Sequence, residues 1–535
     1  MSLTLSLHLG HDSNMTIARG AKVLRYVEFE KVVNKRYFRF SKDGERFEWE
    51  LDTIVMPSIG ELAKSVSQLN LCWLTDEQAA LVRSRFPKVC VDRKKTHHLA
   101  HAYSVYAFTE PRAGDVIVSF DGGGDLDDYF WIFAWRKDTI KPEAEIKQNL
   151  GMPYRFLGLV TNEIKAEATF APETNQHLAG KVMGLAPRGA VVSDFEAPLR
   201  DYYRKFAKRC GKEEIQAAVE AVVQDCGLAS RLTGDHGSAL ASVRLERKAA
   251  TDLLKTSQHV FEQEFWRHAG SHLLDKRCKR ILLVGGCALN VKLNSLVFER
   301  TGKTVFVPPI PGDCGITLGA AVMDAGPKRF ERFNDAFIGP KASGDLLRFI
   351  RERDGRAVTA AELAQELHKG CLIGTVIGAI EAGPRALGNR SLLACPSKGM
   401  KNRLNEVKDR EEFRPVAPIV TAEMQDRYFA PCPETKYMSF SPKIRSEHES
   451  GLGEVVHYDG TCRIQTVTKQ ERFLHQLLVE VGKLTGYEVL INTSLNTKGR
   501  PIINDLNEAF ALLDARQIDR LVVDGFMFEA GSAPR

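Results

Sequence analysis

The chain has 535 residues, of which 44% are hydrophobic and 27% are charged, and its formal net charge is +6. This length exceeds what one hydrophobic core holds, so we expect two or three domains of a globular protein, and the small net charge does not favour a general nucleic-acid binder. The eleven cysteines are scattered without a CxxC pair, which indicates reduced thiols in a cytoplasmic protein.

The first half of the chain predicts strands and helices in alternation. Segments 3–10, 14–20 and 22–30 are predicted as short strands, and the first lacks the basic start of a signal peptide. DVIVSFD (115–121) predicts a buried strand that ends in a glycine turn, and 195–274 predicts mainly helix. RILLV and VFV each predict a strand followed by a glycine-containing loop and a helix. No apolar run is long enough to predict a membrane span.

A change in composition divides the chain. Residues 339–355 are rich in Gly, Lys and Arg, and we predict a domain boundary there, with domains at 1–345 and 346–535. Beyond it, CLIGTVIGAI, YEVLINTS and RLVVDGFMF predict strands between helices, which indicates a second α/β unit. The sequence shows no internal repeat and no low-complexity segment.

THHLAHAYSVYAF (96–108) holds three histidines within five positions. In a helix, His97 and His101 lie on one face and could share a metal ion, whereas His98 points about 100° away. The alternative is an ordinary helix whose imidazoles are hydrogen-bonded. His98 occupies the glutamate position of HExxH, which disfavours a metalloprotease.

Two aspartates extend this set. Asp121 follows the strand DVIVSF, at the position where α/β folds place ligand groups, and Asp313 lies in the Pro/Gly loop PIPGDCG. Two imidazoles with two carboxylates suit Fe²⁺, Mn²⁺ or Zn²⁺. Ordinary turn or cap chemistry is the alternative for both aspartates.

Glycine loops offer places for phosphate groups. Gly285 and Gly286 follow a strand and precede a helix, so their amides could approach a nucleotide, although such junctions are also common structural joints. Lys181, in AGKVMGLAPRG, could bind an anion.

The richest basic segment lies in the second half. GPRALGNRS (383–391) is not a Walker A loop, because Asn389 stands where that motif needs lysine. Eight Lys or Arg lie between residues 385 and 414, against four acids, and this excess predicts a polyanion site, although a solvated helix also explains 398–403. NTSLNTKGRP (492–501) is typical of a phosphate-binding turn, with a plain β-turn as the alternative. We therefore expect two anion sites, one in each domain.

Eight motifs in order resemble one family over nearly the whole chain: HDSN, HHLAHA, GKVMGLAP, GGCALN, PPIPGDCG, GPRALGNRS, DGTCRIQTV and NTSLNTKGRPI. They resemble the NodU/CmcH/TobZ-type O-carbamoyltransferases. The resemblance implies an α/β protein with a Kae1-like, actin-like ATPase domain followed by a YrdC-like domain. It also implies that carbamoyl phosphate and ATP, with Mg²⁺, give carbamoyl-adenylate, whose carbamoyl group passes to a hydroxyl of a small-molecule natural product such as an antibiotic.

The same resemblance assigns roles to residues. The metal ligands are His97, His101, Asp121 and Asp313, with Fe²⁺ preferred to Mn²⁺ or Zn²⁺. The catalytic set is His11 as the candidate base, Asp12 and Lys35; a hydrogen-bonded turn histidine is the alternative for His11. Nucleotide or adenylate positions in the first domain are Gly123, Lys181, Gly285, Gly286 and Asn290. Carbamoyl phosphate and ATP positions in the second are Arg385, Arg390, Lys408, Arg414, Arg463, Asn492, Ser494 and Asn496.

Three departures from the family pattern leave the acceptor open: Phe29, Arg188 and Cys462. A small-molecule acceptor is expected as partner, without nucleic acid or membrane, and a homodimer is an option. The alternatives are a carbamoyl or threonylcarbamoyl transferase acting on a macromolecule, which calls for a broad basic surface, and a non-catalytic actin-like nucleotide-binding regulator, which gives no reason for the basic cluster.

Overall fold

The computed structural model describes residues 2–87, 89–92, 97–124, 128–164, 170, 176–233 and 243–529. The strands of the first half form two sheets of five strands each. They are β1 (Leu3–His8), β2 (Asn14–Arg19), β3 (Lys22–Glu28), β4 (Val66–Cys72), β5 (Cys90–Asp92), β6 (Asp115–Phe120), β7 (Phe130–Arg136), β8 (Thr139–Ile146), β9 (Arg280–Val284) and β10 (Thr304–Phe306).

The two sheets have the same topology. The first has the strand order β3-β2-β1-β4-β5 and the second β8-β7-β6-β9-β10. In each, three antiparallel strands come first, a fourth strand then pairs in parallel with the first of them, and a fifth pairs in parallel with the fourth. This duplicated sheet is the arrangement of actin-like ATPases, so the predicted fold of the first domain is confirmed. The sequence shows no repeat because only the topology is shared.

The helices of the first half cover and connect these sheets. They are α1 (Phe29–Val32), α2 (Gly44–Glu50), α3 (Met56–Ile59), α4 (Asp76–Arg85), α5 (His97–Ser104), α6 (Gly151–Phe156), α7 (Leu178–Leu185), α8 (Ser193–Arg204), α9 (Lys212–Asp225), α10 (Arg247–Leu274), α11 (Val291–Thr301) and α12 (Ile316–Ala325). The helical content predicted for 195–274 is confirmed by α8, α9 and α10. Within the described ranges, no helix combines the length and apolarity that a bilayer crossing requires.

The second half is built on one eight-stranded sheet of order β11-β18-β17-β12-β13-β16-β14-β15. The strands are β11 (Arg356–Ala357), β12 (Ile373–Val376), β13 (Arg390–Ala394), β14 (Ala417–Thr421), β15 (Gln465–Val467), β16 (Val489–Ser494), β17 (Arg520–Val523) and β18 (Phe526–Glu529). The helices are α13 (Leu346–Glu352), α14 (Ala360–His368), α15 (Met400–Val407), α16 (Gln425–Tyr428), α17 (Glu449–Leu452), α18 (Arg472–Thr485) and α19 (Leu506–Asp514). The predicted second α/β unit is confirmed.

RLVVDGFMF is a hairpin, so its prediction as a single strand was wrong. β17 and β18 are antiparallel, and the turn between them is Asp524-Gly525, with φ of 44° and 88°. An Asp-Gly pair with positive φ at both residues is the favoured two-residue hairpin turn. The YrdC-like character of this domain and the boundary at 345/346 stay predictions.

One close helix contact determines where the predicted metal ligands lie. A Cβ atom at Gly319 of α12 would stand 2.0 Å from the carbonyl oxygen of Ala100 in α5, so only glycine permits this approach. The contact brings the histidines of α5 against the loop that precedes α12. The loop is held in turn by Asn14, whose side chain donates to the Asp313 carbonyl at 3.0 Å.

Candidate active site

The four residues predicted as metal ligands, here called the metal set, meet at one point. The Nε2 atoms of His97 and His101 are 3.0 Å apart, and Asp313 Oδ1 lies 3.5 and 3.3 Å from them. Asp121 Oδ2 is 3.6 Å from His101 Nε2. The four ligand atoms all lie within 4.8 Å of one another. The structure thus brings together two imidazoles from one helix and two carboxylates from separate loops.

The chemistry of this set fits a divalent cation. Asp313 Oδ1 is buried and has no hydrogen-bond partner among the described residues, although it faces two imidazole nitrogens. Burial, only partly opposed by Asp313, lowers the pKa of His97 well below its usual value, so its imidazole is neutral, as a metal ligand must be. Burial alone would raise the pKa of Asp313, but His11 and His97 hold it well below the ordinary range. Neutral nitrogens beside carboxylate oxygens are the donors that Fe²⁺, Mn²⁺ and Zn²⁺ accept.

His98 is excluded from this set, as its helical position predicts. Its Nδ1 atom lies 2.8 Å from Ser119 Oγ, and its Nε2 atom lies 3.0 Å from the Asp128 carbonyl oxygen. Burial, with a smaller contribution from His101, lowers the pKa of His98 to about 3. His98 is therefore the satisfied, structural histidine of the three.

Glycines after two strands hold Asp121 in place. The Asp121 carboxylate accepts hydrogen bonds from the backbone N–H groups of Gly122, at 2.6 Å, and of Gly286. Gly285 has φ of 90°, and a Cβ there would stand 2.1 Å from the Phe120 carbonyl oxygen. The Gly285-Gly286 pair is therefore required by the geometry of the metal set, and its nucleotide role stays a prediction.

The other predicted nucleotide positions of the first domain differ in their surroundings. A Cβ added at Gly123 would meet no atom within 4 Å. Asn290 is the N-cap of α11: its side chain accepts from the Leu293 N–H at 3.1 Å and donates to Gln258 at 3.1 Å. Lys181 forms an ion pair of 2.6 Å with Glu411 of the second half. Gly123 thus faces open space, whereas the side chains of Asn290 and Lys181 already make close polar contacts.

His11 stands beside the metal set at a partly open position. Its Nε2 atom is 3.3 Å from Asp313 Oδ2, its Nδ1 atom is 3.2 Å from Asp12 Oδ2, and its side chain is 38% exposed. Burial opposes protonation, but Asp313 and Asp12 outweigh it and raise the pKa of His11 to about 9. Lys35, by contrast, is exposed after α1. His8, which no motif indicated, is buried at the end of β1, and its Nε2 atom lies 3.0 Å from the His11 carbonyl oxygen.

Positive charge gathers at a second place, formed by side chains of the second half of the chain together with Arg36 of the first. The six side chains of this cationic cluster are Arg36, Arg385, Lys408, Arg410, Arg414 and Arg463, and neighbouring cations lower the pKa values of the last five. Burial, reinforced by neighbouring guanidinium groups, lowers the pKa of Arg385 to about 10 and that of Arg410 to about 9. The same causes hold the pKa values of Lys408 and Arg463 well below normal. Like charges gathered at one place, of which Lys408 is buried and most others half-buried, favour an anionic ligand.

Three predicted residues of the second domain meet at Lys408, directly after α15. The Lys408 ammonium donates to the hydroxyl of Ser494, at 3.1 Å, and to the side-chain oxygen of Asn496. Arg390 and Asn492 are placed differently. The Arg390 guanidinium donates to the carbonyls of Ile377 and Gly378, at 2.8 and 2.9 Å, and supports the loop from within the core. The Asn492 amide donates to the Ala386 carbonyl at 3.0 Å.

Two members of the cationic cluster were missed by sequence reasoning. Arg410 stands in the basic run but carries no motif that singles it out. Arg36 belongs to the first half of the chain and comes close enough to lower the pKa values of Arg385 and Arg414. Its neighbour Lys35 was chosen instead, because only the fold shows which of two adjacent cations faces the second domain.

A buried set of histidines and aspartates whose donors fit a divalent cation, and a cluster of cationic side chains that fits an anion, are typical of enzymes that act on phosphorylated substrates. Two family models match the chain: Carbamoyltransferase N-terminus at residues 70–322 and Carbamoyltransferase C-terminus at 364–530. Nodulation protein NolO of Bradyrhizobium diazoefficiens is 30% identical over 468 residues, which is 81% of this chain and 78% of that protein. The chain therefore belongs to the carbamoyltransferase family.

Other relatives differ in how much of them the chain covers. Nodulation protein NolNO of Sinorhizobium fredii is 30% identical over 82% of this chain, which spans 64% of that protein. The 3'-hydroxymethylcephem-O-carbamoyltransferase of Amycolatopsis lactamdurans is 28% identical over 97% of this chain and 98% of its own length. The chain thus spans just under two thirds of NolNO and nearly all of the cephem enzyme. Among solved structures, HypF of T. kodakarensis matches 61% of this chain and 47% of its own, with 13% identity and a TM-score of 0.35.

Proposed function

We propose that the chain is an ATP-dependent O-carbamoyltransferase that makes carbamoyl-adenylate at the cationic cluster and transfers the carbamoyl group beside the metal set. The observation that carries this proposal is the cationic cluster, in which burial and neighbouring cations lower the pKa values of Arg385, Arg410 and Arg463. ATP and carbamoyl phosphate together supply the negative charge that such a cluster lacks. Membership of the carbamoyltransferase family supports the same assignment.

In the first step, carbamoyl phosphate gives up its phosphate to water, and the carbamate oxygen then attacks the α-phosphorus of ATP. A phosphorus–oxygen bond to carbamate forms as the bond to pyrophosphate breaks. Lys408 and Arg463 neutralise the charge that grows on the leaving pyrophosphate, because buried cations act on developing charge far more strongly than solvated ones. Arg36 and Arg385 hold the remaining phosphates.

In the second step, the acceptor hydroxyl attacks the carbamoyl carbon, AMP leaves, and the hydroxyl proton passes to a base. His11 is our candidate for that base, since it is half-exposed beside Asp313 and oriented by Asp12. The carboxylates of Asp313 and Asp12 raise the pKa of His11 and so favour its protonated form. His11 can therefore act as a base only when part of their negative charge is offset. His97, His101, Asp121 and Asp313 would hold a divalent cation, which when bound would supply that positive charge and Lewis acidity toward a phosphate group.

The acceptor is proposed by analogy with a relative. The cephem enzyme is named for carbamoyl transfer to the hydroxyl of 3'-hydroxymethylcephem, a small molecule. We propose an acceptor of the same class, a small molecule with an accessible hydroxyl group.

The test is ATP–pyrophosphate exchange with the purified chain. Labelled pyrophosphate should enter ATP only when carbamoyl phosphate is present. Arg463→Met should abolish this exchange, whereas Arg427→Met, which removes an exposed arginine of the same domain, should not. Absence of exchange in the wild-type chain, or exchange that does not need carbamoyl phosphate, would overturn the proposal and favour a nucleotide-binding regulator or another transfer reaction.

A further inference from the structure

A buried ion pair joins the two halves of the chain at the end of β3. Glu28 and Lys31 are 3% and 6% exposed, and the Lys31 ammonium lies 2.9 Å from Glu28 Oε2. Glu28 Oε1 accepts the N–H of Gly383 at 2.7 Å. Lys31 donates to the carbonyl oxygens of Glu381 and Gly383, at 2.7 and 2.9 Å. Three buried hydrogen bonds thus connect this pair to residues more than 350 positions along the chain from Glu28.

The receiving segment, residues 381–390, is here called the anion loop because it carries Arg385. Its shape depends on Glu381, whose Oε1 atom accepts the N–H groups of Leu387, Asn389 and Arg390 at 2.8, 2.9 and 3.0 Å. Gly383 has φ of 91°, and a Cβ there would stand 2.2 Å from the Pro309 carbonyl oxygen. A displacement at Gly383 therefore moves Arg385, two residues later.

The same ion pair also reaches the loop of the metal set. The Tyr26 hydroxyl lies 2.9 Å from the Cys314 carbonyl oxygen and 3.2 Å from Glu28 Oε1. The Cys314 thiol is 3.7 Å from Glu28 Oε2. Cys314 directly follows Asp313 in the chain. One carboxylate is therefore in contact with the loop that carries a proposed metal ligand and with the loop that carries a proposed phosphate ligand.

Stability does not explain why a charged pair is buried here. Removing two charges from water costs about as much as their attraction returns, and apolar residues of similar size often serve stability equally well. The geometry that the pair imposes is the remaining explanation, because Glu28 and Lys31 bond to each other, to the anion loop and to Tyr26, which itself donates to the loop of the metal set.

We infer that Glu28 and Lys31 are positioning residues that fix the anion loop relative to the metal set. This inference rests on the proposed function, since it assigns the pair to the orientation of Arg385 during adenylate formation. The pair contacts neither substrate. It holds the loop so that Arg385 needs no rearrangement when the phosphates bind. Loss of this preorganisation should weaken substrate binding and therefore raise the KM for ATP.

The test uses the full chain and the carbamoyl-phosphate-dependent exchange reaction. Lys31→Met removes two hydrogen bonds to the anion loop, and we expect the KM for ATP to rise about tenfold while kcat changes less than about threefold. Lys31→Arg keeps a donor and should restore most of the wild-type KM. Ser295→Ala is the control, because it removes a different hydrogen bond between the halves, from the Ser441 N–H to the Ser295 hydroxyl oxygen at 2.9 Å. The metal content of each variant, measured by atomic absorption, should stay at the wild-type level.

Two results would overturn the inference. One is a Lys31→Met chain that folds and keeps the wild-type KM for ATP; the other is an equal rise in KM for Ser295→Ala. If Lys31→Met fails to fold, the double variant Glu28→Gln/Lys31→Met is used, because it removes both charges and keeps an acceptor for the Gly383 N–H. A wild-type KM for ATP in this double variant would overturn the inference in the same way. Failure of the proposed function would appear in the wild-type chain as absence of exchange, whereas failure of this inference appears only in the variants.

Discussion

Replacing Lys408 by methionine tests the anion site most directly. The ammonium group lies between Ser494 and Asn496, and burial together with Arg410 and Arg414 lowers its pKa well below normal. A charged donor aimed at developing charge in a dry site is worth about 100- to 1,000-fold in rate. We expect the exchange rate of Lys408→Met to fall by that factor.

Stability should respond in the opposite direction. A lysine whose folded-state pKa is lowered destabilises the folded protein wherever the unfolded chain carries the proton, which is everywhere below the ordinary lysine pKa. Methionine removes this cost and gives up hydrogen bonds worth about 1–3 kcal/mol. The free energy of unfolding at pH 7 should therefore stay equal to that of the wild-type chain or rise.

The two measurements are the exchange rate and urea unfolding, each compared with Lys398→Met, which removes an exposed lysine of the same basic run. Loss of exchange with retained stability supports an anion-binding Lys408. A variant that loses more than about 3 kcal/mol of stability and exchanges normally once folded would identify Lys408 as a structural residue and refute the reasoning.

Three further predictions concern separate parts of the two sites. His97→Ala should lose the bound metal, measured by atomic absorption, and block carbamoyl transfer while sparing exchange; retained metal would contradict the assignment of the metal set. Arg36→Ala should raise the KM for ATP about tenfold with little change in unfolding, and an unchanged KM would remove Arg36 from the cationic cluster. Burial, with Asp12 and Glu28, raises the pKa of Glu30 from 4.5 to about 7, so the folded state loses about 3 kcal/mol as pH rises between these values. Glu30→Gln should remove that slope in urea unfolding between pH 5 and 8, and an unaltered slope would show that Glu30 is not its source.

The metal set was predictable because each member has a local signal. His97 and His101 are one helical turn apart, Asp121 ends a buried strand, and Asp313 stands in a Pro/Gly loop. The spacing of the histidines alone was equally consistent with an ordinary helix whose imidazoles are hydrogen-bonded. The fold decides their proximity to Asp313, through the contact between Gly319 and Ala100, for which the sequence has no periodic signal.

Contacts between distant segments could not be predicted in this way. Glu28 and Lys31 occupy a strand end and a single helical turn, where a charged pair normally faces solvent. Their burial depends on contacts with Gly383. The sequence of that loop predicts an anion site but gives no sign of a contact with Glu28 or Lys31. Arg390 was predicted as a phosphate contact, but its guanidinium donates to backbone carbonyls. Composition alone cannot distinguish these two uses of an arginine in the same loop.

The two sites carry opposite charges, and their separation follows from what each is proposed to bind. The metal set and its neighbour Asp12 carry excess negative charge, enough to keep a proton on His11, whereas the cationic cluster carries excess positive charge, enough to lower arginine pKa values. In contact, the two would neutralise each other and bind neither cation nor polyanion. Their separation keeps both charges available, but in the proposed reaction the carbamoyl-adenylate made at one site must reach the other before water hydrolyses it. A rigid, internally neutral connection such as Glu28–Lys31 meets both requirements, because it fixes the distance between the sites without adding net charge to either.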